Sequence, residues 1–224
     1  MILINKTTNP NNILKKSILQ IIIVFLLILT LSYSISASQI DSDIKTVNWD
    51  KLKENSQHIL STDKDNILAN FQYSISLANL GMIEEAYEHF DVIKDNISIN
   101  KFNRIISPRI SKLESNPNDI LLLNYAAFSS SINSKNENSI PYFKKIINLQ
   151  PENIWIMNFL AAAYIELEEY DKAKKEVNKA LEIQDNKYSH LILGFIHYES
   201  GNYIKALIEL GRSGDLANKI LFDK

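Results

Sequence analysis

A short motif recurs along this chain, and its spacing constrains the fold more than any other feature. Four stretches place a small residue, three others and then a large apolar one: Ala86 to Phe90, Ser139 to Phe143, Ala173 to Val177 and Ala206 to Leu210. The small residues are separated by 53, 34 and 33 positions, as if one 19-residue helix had been added to the first interval. Other landmarks keep step. Pro117 and Pro151 lie 34 apart, Tyr170 and Tyr203 lie 33 apart, and Leu52 lies 34 before Ala86. A period of this length marks a supersecondary unit that cannot bury its apolar face alone and must stack on its neighbours.

The unit is a pair of helices. Only 5 Gly and 5 Pro occur in 224 residues, and an all-β chain would use more of both at its turns. Small residues at fixed places let two helices approach closely, and the large ones a turn later fill the gap between them. Gly81 and Gly201 mark turns inside hairpins. The periodicity predicts helices near 47–61, 66–80, 83–96, 100–114, 118–132, 137–149, 153–166, 170–183, 187–200 and 203–213, with a short last helix from Asp215. The helix at 100–114 is the insertion. Pro108 lies within it, where proline removes a hydrogen bond and kinks the chain. A kink is therefore expected there, with sub-arrays 47–100 and 117–224 meeting at an angle.

The residues resemble the tetratricopeptide repeat family. Leu160-Ala161-Ala162-Ala163-Tyr164 and Leu193-Gly194-Phe195-Ile196-His197 fill the first-helix positions of that motif. Ala173, Val177 and Ala180, then Ala206 and Leu210, fill the second. The unit at 153–186 matches best. His197 stands where the family prefers Tyr, and Ser130 and Ser139 replace Tyr and Ala in the unit at 120–152. The resemblance implies an all-α solenoid of antiparallel hairpins over 47–224. Its parts would be a half repeat at 47–62, repeats at about 67–100, 120–152, 153–186 and 187–220, and the extra helix at 100–114. It also implies a concave face, lined by first helices, that holds a protein or an extended peptide. The corresponding positions are Leu121, Asn124, Phe128, Trp155, Asn158, Ala162, Tyr188, Leu191, Phe195 and Tyr198. Rigid aromatics supply contact area and an asparagine amide can pair with a peptide backbone. The family's carboxylate-gripping Lys and Arg are missing from this face, so a C-terminal carboxylate is not the expected ligand. A sensor or carrier for a small molecule or signalling peptide is the alternative.

Lys15 and Lys16 precede an almost unbroken apolar run, Ile18 to Leu31, followed by small residues to Ser38. That is the three-part layout of an export signal. Fourteen helical residues span about 21 Å, and counting on to Ile35 gives about 27 Å, close to a membrane's hydrocarbon core of about 30 Å. Residues 1–38 are thus expected to be a cleaved signal or a retained anchor, residues 39–46 a polar linker, and the repeats to lie outside the cytoplasmic membrane. Membrane contact would run through the amino terminus if it is uncleaved. Beyond residue 38 the chain carries 21 basic and 26 acidic residues. That balance argues against a nucleic-acid partner, whose phosphates need a basic face.

No catalytic residue, cofactor or metal site is expected. Cysteine is absent, so disulfides and thiolate sites are excluded. His190 and His197 lie seven apart, about 10.5 Å along a helix, too far to share an ion. Glu84-Glu85 and the acidic run Glu166 to Glu169 sit at helix starts and turns, where acids complement the helix dipole.

Overall fold

The computed structural model describes residues 45–217. The expected signal or anchor lies outside the described residues, as does most of the linker. Among the described residues are ten α-helices: α1 (Trp49–Thr62), α2 (Ile67–Asn79), α3 (Ile83–Asn96), α4 (Ile99–Ile110), α5 (Ile120–Ile132), α6 (Asn136–Leu149), α7 (Ile154–Ile165), α8 (Tyr170–Ile183), α9 (Lys187–Glu199) and α10 (Tyr203–Arg212). A 3₁₀ turn, Ser111–Glu114, follows α4. A further helical turn opens at Asp215. None of these helices is long and apolar enough to cross a membrane.

Local chemistry sets each boundary, and it repeats. The first helices of the hairpins, α2, α5, α7 and α9, begin after Asn66, Asp119, Asn153 and Asn186. Each of these side chains accepts a hydrogen bond from a first-turn backbone N–H. Such caps satisfy donors that a helix start leaves orphaned, for about 1 kcal/mol each. The hairpin turns are equally regular. Gly81, Ser134, Glu168 and Gly201 all have positive φ, at 79°, 55°, 59° and 72°. The next residue's N–H then donates to a carbonyl five positions back: Met82 to Leu77, Lys135 to Ser130, Glu169 to Tyr164 and Asn202 to His197. This is the Schellman closure of a helix C-terminus. Caps and turns follow the same 53, 34 and 33 spacing as the motif residues.

The motif residues are the hairpin cores. Ala86, Ser139 and Ala173 are fully buried, Ala206 nearly so, and Phe90, Phe143 and Val177 are buried one turn later. At Gly194 a Cβ would come within 2.9 Å of the Leu210 side chain, so α9 and α10 approach closely there.

Pro108 is accommodated inside α4, and the helix tightens to 3₁₀ geometry only at Ser111. The sub-arrays expected to meet at an angle belong to one compact unit that begins at Lys45. Phe71 of α2 packs edge-on against Phe102 of α4, with ring centroids 5.0 Å apart, and lies 5.5 Å from Tyr125 of α5. Lys45 joins the same unit: its carbonyl accepts from the Ile120 N–H at 3.2 Å, and its ammonium pairs with Asp119 at 3.0 Å.

Candidate functional site

The inner faces of α5, α7 and α9 carry the ten positions that the resemblance points to. The chain's own α2–α3 hairpin lies over part of that face. Asn124 is fully buried: its Oδ1 accepts from Asn79 Nδ2 of α2 at 2.8 Å, and its Nδ2 donates to the Ile120 carbonyl at 2.8 Å. Phe128 is buried too, stacked on Phe90 of α3 with ring centroids 5.0 Å apart and set edge-on to Phe143 and Phe159. The Trp155 ring fills the space that a side chain at Gly81 would need, and meets Tyr188 edge-on at 6.0 Å. Asn153 Nδ2 donates to Asn79 Oδ1 at 3.3 Å, and Lys187 of α9 pairs with Glu84 of α3 at 3.5 Å.

Part of the face stays open as a cleft of about 450 Å³ between α3, α7 and α9. Asn158, Ala162, Tyr188 and Leu191 line it, four of the ten sequence-derived positions. Ile83, Glu84, Tyr87 and Asp91 of α3 form the facing wall, with Phe159, Ile192 and Leu216 completing it. Leu121 is half-buried outside this cleft, and Phe195 and Tyr198 are exposed beyond it, Tyr198 lying 5.7 Å from the Tyr203 ring. The α3 residues were missed in the sequence reading because they occupy a second helix, which ordinary stacking would turn away from the first-helix face.

The cleft is mostly apolar, and its polar groups are few. Asn158 is 5% exposed, and its Oδ1 accepts from Ser189 Oγ at 2.8 Å. Its Nδ2 is buried with no partner among the described residues. The histidines serve other contacts. The His190 ring bridges helices, with Nδ1 2.6 Å from Glu209 Oε2 and Nε2 2.6 Å from Asp185 Oδ1. Burial depresses the pKa of His197, and Lys174 and Lys205 depress it further. Burial likewise lowers that of His89, which meets the Tyr73 ring edge-on. Among the described residues no group of three or more His, Asp or Glu is placed to hold a metal ion.

Comparison with known proteins bears on the hairpins. Residues 133–194 match the tetratricopeptide repeat family model. No curated protein matches the chain by sequence. Solved structures similar to it include MamA 41-end from Desulfovibrio magneticus RS-1, at 18% identity and a TM-score of 0.46, covering 77% of this chain and 97% of that one. The MamA RS-1 ArsTM double mutant is similar at 17% identity and a TM-score of 0.46, covering 80% and 99% respectively. MamA MSR-1 C2 is similar at 13% identity and a TM-score of 0.44, covering 77% and 88%. The matched segment spans the turn after α5 through most of α9, and the caps, turns and buried motif residues on either side keep its spacing. Over residues 133–194 the chain is similar to the tetratricopeptide repeat family.

Proposed function

We propose that this protein is a non-catalytic scaffold that binds a protein or peptide, with the cleft between α3, α7 and α9 as its contact surface. One observation carries the reading: an open part of the first-helix face is an apolar cleft rimmed by Tyr87 and Tyr188, with Asn158 in its wall. Aromatic anchors in a desolvated pocket are the kind of feature on which binding energy concentrates. A random-peptide library panned on the full-length protein tests it. Recovered peptides should lose affinity for Ala162→Trp, which fills the cleft from a half-buried position, and keep it for an exposed-face control such as Asn178→Ala. Peptides indifferent to Ala162→Trp would refute the assignment. A small-molecule carrier is the second reading, favoured by a cleft volume within the usual range of about 300–1,000 Å³ for ligand pockets. A ligand-dependent rise in melting temperature, with no peptide recovered, would support it instead.

The scaffold is further proposed to act outside the cytoplasmic membrane. Lys15-Lys16 followed by the apolar run Ile18 to Leu31 supports this. Intact mass measured on separated soluble and membrane fractions tests it. A soluble species beginning near Ala37 or Gln39 means a cleaved signal, and a full-length membrane species means an anchor. A full-length species confined to the cytosol would refute export.

A further inference from the structure

Among the described residues, exposed apolar side chains gather on α10. Ile204, Leu207 and Ile208 are 78%, 71% and 50% exposed, and with Gly211 they keep the i, i+3, i+4, i+7 spacing of one helix face. Tyr203 extends the stripe, and its ring meets that of Tyr198 from α9 at 5.7 Å, both residues more than half exposed. The core lies on the other side of the helix, where Ala206 is buried and Leu210 packs on Gly194. A contiguous patch of this kind marks a contact surface.

Repeat packing does not require the stripe. The same four positions of α8, 33 residues earlier, are Asp171, Lys174, Lys175 and Asn178, polar throughout. The chain that follows α10 turns the other way: Gly214 has a φ of 61°, and Leu216 is buried in the wall of the cleft on the inner side. Charge then decides what suits the stripe. Lys205 and Arg212 succeed each other along one margin, seven positions apart. Glu209, between them, has its carboxylate turned inward, 2.6 Å from His190 and 3.2 Å from Arg212. Lys174 of α8 adds a cation near His197, as Lys205 does, while Glu199 lies toward Tyr170 of α8. Two copies packed antiparallel through the stripe would set Lys205 of each against Arg212 of the other, whereas an anionic surface takes both. Aliphatic side chains flanked by tyrosines and cations are the make-up of a helix lying in a membrane interface.

We infer that the outer face of α10 seats on an anionic lipid surface, with Ile204, Leu207 and Ile208 at the headgroup–acyl boundary and Lys205 and Arg212 toward the lipid phosphates. This face is separate from the cleft, so the inference stands apart from the peptide-binding reading. The chain has no cysteine, so one introduced by Ile204→Cys carries an environment-sensitive fluorophore at that site alone. Asp171→Cys, the same position one repeat earlier, is the control. Each labelled full-length protein is mixed with vesicles of equal parts phosphatidylglycerol and phosphatidylcholine, with vesicles of phosphatidylcholine alone, and with anionic vesicles carrying a headgroup-level spin label. The expected result is a blue shift and a severalfold rise in emission at 204, quenched by the spin label, with little change at 171. The response on neutral vesicles should be about fivefold weaker or less. Equal responses at 171 and 204 would mean that the amino-terminal run alone holds the protein to the vesicle, and would overturn the inference. Equal responses on the two kinds of vesicle would overturn it too. A blue shift at 204 that grows with protein concentration without lipid, and escapes the spin label, would assign the face to a second copy instead. No change at 204 or, in Leu207→Cys labelled the same way, at 207 would also overturn it. All three sites are exposed, so the substitutions leave the packing intact.

Discussion

Ser134 and Glu168 hold the left-handed turn positions that glycine holds at 81 and 201. A side chain there costs about 1–2 kcal/mol, while glycine adds unfolded-state entropy of about 0.4–1 kcal/mol. Glu168→Gly, at an exposed site, should therefore raise stability by up to about 1 kcal/mol in urea unfolding. Gly81→Ala should lower it, by about 1–3 kcal/mol from the backbone alone. The further cost is that Trp155 must move, so Gly81→Ala should cost more than Gly201→Ala, where a Cβ meets nothing within 4 Å. Histidine titration belongs to this scale. The folded pKa values of His197 and His89 lie below the ordinary 6.5, so the unfolded chain binds protons first as pH falls. The stability these two groups contribute is present above about pH 6.5 and lost below it. The urea midpoint of the native protein should fall from pH 7.5 to pH 5.5, and His197→Gln should flatten that dependence.

At the scale of the helix pair, the small residue of the motif decides how closely two helices approach. Ala173 has no exposed surface. Ala173→Glu should bury an uncompensated charge between α7 and α8 and destabilise by about 3–5 kcal/mol. Thermal unfolding followed by circular dichroism checks this, and a variant melting like the parent would contradict the packing. Helix starts were more legible than the apolar periodicity alone suggests. Asn66, Asp119, Asn153 and Asn186 repeat at the motif's own spacing, so the caps could have been read directly from the sequence. The turn residues were legible only in part. Gly81 and Gly201 announce a left-handed conformation, whereas Ser134 and Glu168 adopt it because the hairpin on either side closes only that way.

Across the whole molecule, one aromatic cluster joins the amino-terminal hairpin to the later repeats. Phe71, Phe90 and Phe102 meet Tyr125, Phe128 and, through Phe128, Phe143 and Phe159. Residues 45–217 should therefore unfold together instead of fraying repeat by repeat. In a Trp49→Phe background, Trp155 fluorescence reports the contact with the α2–α3 turn. Its urea transition should coincide with helix loss seen by circular dichroism, and Phe128→Ala should move both by about 3–5 kcal/mol. Separated transitions would mean that the hairpin docks independently.

The sequence by itself determined the helices, their pairing and the register of small against large residues. Those depend on local propensity, caps and a period that one chain segment carries within itself. It also pointed to Asn158, Ala162, Tyr188 and Leu191 as neighbours on one face. Only the tertiary structure decided that Asn124 and Phe128, on the same face, are covered by α2 and α3, and that α3 supplies the opposite wall of the cleft. Apolar periodicity tells which side of a helix leaves water but not what it leaves water for. Here the α2–α3 hairpin covers that side, with α4, the inserted helix, packed on α2 through Phe102.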